Sequence, residues 1–275
     1  GSGSGSVPWV ISARSEAGLQ AQTARLREHL TANSEFSAVD VGYALATTRA
    51  HLDRRAVVLG KDPETLLAGL DALSRNEPAD AVVTGQARGD ARVVMVFPGQ
   101  GSQWVGMALG LLDDSPVFAE HLRACARALA PHVEWDLLEV LREPDGTSLE
   151  RVDVVQPVLF SMMVSLAQLW RSHGVEPAAV VGHSQGEIAA AHIAGALTLE
   201  DAAKIVALRS RALTALSGGG MASIALSADD VQQRLSAWDG QVAIAAMNGP
   251  TSTVISGDDT ALSQILAACE TDGIR

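Results

Sequence analysis

Apolar residues recur in two rhythms along the 275-residue chain, and the switches between them lay out its elements. Between positions 7 and 85, short β-branched runs alternate with stretches of helical period. Residues 7–12 and 55–59 read as strands, and Leu19, Thr23, Leu26 and Leu30 recur at the spacing of one helix face. Residues 39–48 continue as a second helix. Asp62-Pro63-Glu64 opens a third, with an Asp cap before Pro at the first helical position. A strand over 81–84 closes the group, a small α/β unit that carries no catalytic constellation. The polar stretch 86–90 then marks a boundary.

Residues 92–97 are apolar after Arg92 and predict a fully buried strand that runs into Pro98-Gly99-Gln100-Gly101-Ser102-Gln103. Phe118, Leu122, Cys125 and Leu129 form a helical stripe, and Pro157 is expected to open a strongly apolar helix over 158–170. Residues 178–181 read as a buried strand, Gly182-His183-Ser184-Gln185-Gly186 as a tight turn, and the small residues 188–197 as a helix. Another helix starts at Leu199 and runs to about 216, where Ser217 and three glycines end it. From 221 the order is strand, helix, strand, strand, helix (221–226, 228–237, 242–247, 252–256, 259–271), a ferredoxin-like unit without its last strand. No internal repeat is evident.

Composition narrows the class. With 47% hydrophobic and only 4% aromatic residues, the chain reads as an α/β enzyme, long enough for two domains. A net charge of -12 argues against nucleic acid or an anionic membrane surface as partner, since both need a basic patch. Cys125 and Cys269, two and far apart, fit a reducing cytoplasm and suggest neither a disulfide framework nor a metal site. No apolar run reaches the length of a membrane span, and no secretion signal is apparent. Residues 1–6 have the composition of a flexible linker or cloning scar.

The chemistry concentrates at Ser184. Strand, Gly-x-Ser-x-Gly and helix match a nucleophile elbow, in which Gly182 and Gly186 avoid collisions that a side chain would cause. The bland alternative is a chance match on an ordinary strand-to-helix turn. If the Gly99-Gln100-Gly101 loop meets the same sheet edge, the backbone N–H groups of Gln100 and Gln185 form an oxyanion hole, one such donor contributing about 3 to 4 kcal/mol. The Gly-x-Gly-x-x-Gly and Gly-Lys-Ser/Thr patterns of phosphate loops are absent. Arg209 shares a helical face with Ile205, Ala212 and Leu216, where a guanidinium either finds a carboxylate or snorkels from the edge.

On Phe97-Pro98-Gly99-Gln100-Gly101-Ser102-Gln103, Gln156-Pro157, Gly182-His183-Ser184-Gln185-Gly186-Glu187 and Leu208-Arg209, the chain resembles the malonyl-CoA-type acyltransferases, in particular acyltransferase domains of modular type I polyketide synthases. The resemblance implies an α/β-hydrolase-like parallel-sheet core over 91–217, an incomplete ferredoxin-like subdomain over 218–275, and a ketosynthase-to-acyltransferase linker domain over 7–90. It implies that Ser184 carries the acyl ester, Gln100 and Gln185 supply the oxyanion donors, Arg209 binds the free carboxylate of the acyl unit, and Gln156 lines the site. His183 packs around the turn. The implied substrate is methylmalonyl-CoA or malonyl-CoA. The implied acceptor is the phosphopantetheine thiol of an acyl carrier protein, beside a neighbouring ketosynthase and with no tightly bound cofactor. Gln185 and the run Arg151–Gln156 resemble the methylmalonyl users, although one methyl group offers only about 1 to 3 kcal/mol of discrimination.

None of the seven histidines is a convincing base for Ser184. In the family that residue follows the ferredoxin-like unit, so the expectation is a truncated chain whose base lies beyond Arg275 and which turns over poorly. Two other readings compete: a serine hydrolase or thioesterase, and a non-catalytic scaffold piece of a synthase.

Overall fold

The structure, a computed structural model, describes residues 6–87, 89, 91–216 and 218–275. The linker expectation for residues 1–5, part of the boundary at 86–90, and Ser217 at the helix end therefore fall outside the described residues. The chain divides into two compact units, 1–93 and 94–275.

In the first unit, β1 (Val7–Ala13), β2 (Arg54–Gly60) and β3 (Val82–Gln86) form an antiparallel sheet in chain order. Helices α1 (Glu16–Ala32), α2 (Ala38–Thr48) and α3 (Pro63–Ser74) cover it. Alternation in β2 turns Ala56 and Val58 inward against Trp9, Ile11, Leu66 and Leu70, which makes a closed core. Asp62 caps α3 by accepting from the Thr65 N–H at 2.7 Å, as the Asp-Pro signature implies.

The second unit holds two sheets. One pairs β4 (Val93–Phe97) with β5 (Pro177–Gly182). Between them run α4 (Leu109–Asp114), α5 (Pro116–Leu129), α6 (Leu137–Arg142), a 3-10 turn and α7 (Val152–Ser172). After β5 come α8 (Gly186–Ile193) and α9 (Leu199–Thr214). The core joins Phe118, Leu122, Cys125 and Leu129 of α5 to Val155, Val158, Leu159 and Phe160 of α7 and to small residues of α8 and α9. The other sheet, in order β6 (Gly219–Ile224), β8 (Ser252–Asp258), β7 (Val242–Gly249), is antiparallel, and α10 (Ala228–Leu235) and α11 (Asp259–Thr271) pack on it around Val231, Ile255 and Ile265.

Four expectations are corrected. Strands β4 and β5 are not fully buried: Met95, Phe97 and Val180 join the core, whereas Val96 and Val181 are 67% and 52% exposed. An apolar run shows that both faces are hydrophobic, not that both are covered. Pro157 does not open its helix; α7 begins five residues earlier at Val152 and carries the proline inside, where only the hydrogen bond to the Asp153 carbonyl is forfeited. Joined across that proline, α7 is long and apolar enough to cross a membrane, contrary to the expectation, yet 72% of its most apolar window is buried within the unit. Helix α8 is also shorter than its small-residue run, ending at Ile193.

Candidate active site

The turn after β5 is built by backbone geometry. Ser184 sits at φ +53°, a left-handed conformation rarely adopted by residues other than glycine, asparagine and aspartate. The bend is so tight that a Cβ on Gly182 would lie 2.3 Å from the Glu187 Cα, and one on Gly186 would lie 2.2 Å from the Phe97 carbonyl oxygen. Helix α8 then starts at once, with N–H groups of Gly186 and Glu187 bonded to the carbonyls of His183 and Ser184 at 2.9 and 3.1 Å.

The clash partner of Gly186 is informative, because Phe97 ends β4. The His183 N–H donates to the Phe97 carbonyl at 2.9 Å, so the carboxyl ends of β4 and β5 meet, as anticipated. Beyond Phe97, Gly101 stands at φ +117° and its N–H donates to Gln103 Oε1 at 2.8 Å, which fixes the shape of the loop. Sequence reasoning quoted Gln103 without a role. Neither the Gln100 nor the Gln185 N–H has a protein acceptor among the described residues. The Gln185 side chain is buried, 1% exposed, and leans its Nε2 toward the Pro98 carbonyl at 3.5 Å.

Gln156 and Arg209 join the same assembly. Arg209 Nη1 donates to Gln156 Oε1 at 2.6 Å, and Gln156 Nε2 reaches Gln100 Oε1 at 3.4 Å. A chain of side chains thus runs from the guanidinium to Gln100 in the loop after β4. The reason first given for Arg209 is wrong, however. Helix α9 buries Ala202, Ala203, Val206, Ala207 and Ser210, while Ile205 and Leu216, on the Arg209 face, are 41% and 75% exposed. Arg209 occupies an open face and meets its partner from there. Because α7 starts at Val152, Gln156 lies on a helix facing it, 5% exposed.

Ser184 Oγ has no hydrogen-bonded base among the described residues. His183 is turned to Asn248, with Nε2 and Oδ1 3.0 Å apart, and His192 Nδ1 lies 3.0 Å from the Leu197 carbonyl at the end of α8. Asn248 was missed; Asn-Gly-Pro at 248–250 signals a turn and nothing more. The Cys125 thiol is no rival nucleophile, since burial pushes its pKa up to about 12. No group of three or more metal-ligating side chains is assembled among the described residues.

Comparison with known proteins decides the family. Residues 94–275 match the family described as acyl transferase domain, and residues 9–70 match one described as CurL-like, PKS C-terminal. The chain belongs to the acyltransferase domains of modular type I polyketide synthases. It is 58% identical over 274 residues to polyketide synthase GfsE of Streptomyces halstedii and 53% identical over 268 residues to erythronolide synthase EryA2 of Saccharopolyspora erythraea. These matches take in 98% and 97% of the chain but only 7% and 8% of those synthases. Among solved structures it superposes on the acyltransferase domain from module 8 of the salinomycin polyketide synthase with a TM-score of 0.90 at 54% identity, covering 98% of this chain and 64% of that one. The acyl transferase domain of ZmaA, at 26% identity, gives a TM-score of 0.87 over 98% of this chain and 63% of that one. The α/β fold is thus that of polyketide synthase acyltransferase domains.

Proposed function

We propose that this acyltransferase domain loads a dicarboxylic extender unit in two half-reactions. Ser184 attacks the thioester carbonyl of the acyl-CoA, the tetrahedral intermediate expels the CoA thiolate, and the resulting ester is then attacked by the phosphopantetheine thiol of an acyl carrier protein, which regenerates the hydroxyl. The amides of Gln100 and Gln185 hold the oxyanion of both intermediates. Arg209, braced by Gln156, receives the free carboxylate of the acyl unit, where a planar fork gives a stronger and more directional grip than an ammonium.

The observation that supports this reading is that two loops and one helix bring the candidate groups together through a few hydrogen bonds. A serine at φ +53°, two amides without protein acceptors and a guanidinium bonded to Gln156 all converge on the loops after β4 and β5. Under this proposal 91–217 is an α/β-hydrolase-like core, 218–275 a ferredoxin-like subdomain, and 7–90 the linker after a ketosynthase. The setting is cytoplasmic, no cofactor is held tightly, and methylmalonyl is favoured over malonyl. No base is hydrogen-bonded to Ser184 among the described residues, so the chain alone is acylated slowly.

Intact-protein mass spectrometry after exposure to equimolar methylmalonyl-CoA and malonyl-CoA tests the scheme. The expected result is a single methylmalonyl adduct that is absent in Ser184→Ala and moves to carrier protein when that is added. An adduct that persists in Ser184→Ala refutes the nucleophile, release to water alone favours a hydrolase, and a malonyl adduct in excess reverses the selectivity.

A further inference from the structure

Strand β7 does not run regularly to its end. Its register against β8 shifts between Met247, opposite Thr253, and Gly249, opposite Ser252, so Asn248 is the extra residue of a bulge. Bulges re-aim a side chain out of the ladder, and they concentrate beside active sites. Here the re-aimed amide meets the residue that precedes Ser184: Asn248 Oδ1 lies 3.0 Å from His183 Nε2.

His183 is constrained at two further points, one on its backbone and one on its ring. The His183 backbone N–H is held by the Phe97 carbonyl at 2.9 Å, and a Cβ on Gly99 would lie only 3.0 Å from Nδ1. Glycine at 99 thus lets the oxyanion loop approach one ring nitrogen while the bulge takes the other. An amide oxygen facing Nε2 selects the tautomer that carries its proton there, leaving Nδ1 unprotonated toward Gly99. One ring therefore connects the loop after β4, the serine turn and the β6–β8–β7 sheet.

We propose that Asn248 is a positioning residue: through His183 it ties the second sheet of this unit to the Ser184 turn and sets the angle at which the hydroxyl meets the acyl group. This rests on the assignment of Ser184 as nucleophile, but the tie itself does not. Its purpose follows from what else holds the turn. Ser184 is in a strained conformation, and strained backbone persists only where its surroundings over-determine it. Gly182, Gly186 and Phe97 provide that from the strand side; the amide of Asn248 provides it from the opposite sheet.

Two measurements on the whole chain, made on wild type, Asn248→Ala and Asn248→Asp, test the proposal. Nitrogen-15 NMR of the histidine rings reports the tie directly: wild type shows His183 as the Nε2–H tautomer, Asn248→Ala loses that preference, and Asn248→Asp, which keeps an acceptor oxygen, retains it. The rate of Ser184 modification by a fluorophosphonate, followed by mass, reports the consequence. Loss of one side-chain hydrogen bond is expected to slow labelling about fivefold in Asn248→Ala, with recovery to within about twofold in Asn248→Asp and an unchanged melting temperature in both. An unaltered His183 tautomer in Asn248→Ala overturns the tie. A shifted tautomer with wild-type labelling overturns the positioning role. A wild-type chain inert to the probe sinks the nucleophile and the positioning role with it, while the ring signals still decide whether the tie exists.

Discussion

Asn76 in the first unit and Ser184 in the second are the two residues other than glycine held at positive φ among the described residues, at +56° and +53°. Asn76 follows α3, where its N–H and that of Glu77 return to carbonyls of the helix. A left-handed residue is a common way to end a helix, and asparagine tolerates it. Ser184 ends no helix, and serine has no such tolerance. The same backbone value is a chain-reversal device in one unit and strain at the candidate nucleophile in the other. The contrast extends to the surroundings: Asn76 follows a helix that packs into a closed core, whereas the exposed Ser184 is flanked by glycines that admit no Cβ and by the buried Gln185. Departures from local rules mark the functional site only when the neighbourhood enforces them.

Substitutions can break that contrast. The largest effect is expected from Ser184→Gly, which should abolish acyl-enzyme formation, at least about 10³-fold by adduct mass, yet raise the stability of the second unit by about 1 kcal/mol in denaturant because the strain is relieved. Asn76→Gly should shift the first unit by only a few tenths of a kcal/mol, and an equal gain at both sites would refute the difference. Gly186→Ala comes next: its Cβ must displace the Phe97 carbonyl, and about 3 kcal/mol of stability should be lost from the second unit alone. Arg209→Ala should weaken use of a dicarboxylic acyl-CoA about 10- to 100-fold, measured against an acyl-CoA without the free carboxylate, whose use should hardly change. The last test concerns Cys125, whose effect is absent near neutral pH. Since burial raises its thiol well above the usual value, native protein at pH 8 should resist iodoacetamide there. Raising pH from about 9 toward 12 should erode stability progressively, because the unfolded thiol ionises first.

Much of this was legible in the sequence. The glycines of the elbow and of the Gly-Gln-Gly loop, the Asp62 cap and the β-α-β-β-α order after 218 are local features, and local features survive into the structure. What failed was non-local. Apolar strands do not say which face is covered, so Val96 and Val181 were misplaced. Arg209 was singled out from a helical face that turns out to be open, and its value lies in Gln156, 53 residues away. Pro157 read as a start signal because first-turn prolines are common, and the helix that tolerates it was cut short. The bulge at Asn248 was out of reach, since a register shift leaves no trace in periodicity.

Helix α7 carries one last consequence, for synthesis rather than catalysis. Apolar on nearly every side, it is sheltered by α5, α8 and α9, and the last two follow it in the chain. At ribosomal speeds of about 5 to 20 residues per second, the roughly 40 residues between its end and that of α9 take some 2 to 8 s to appear. For that interval the most water-averse segment of the protein has only half its cover. Nascent-chain chaperones should engage it there, and slowing elongation just after α7 should lower the yield of native protein more than slowing it after α9.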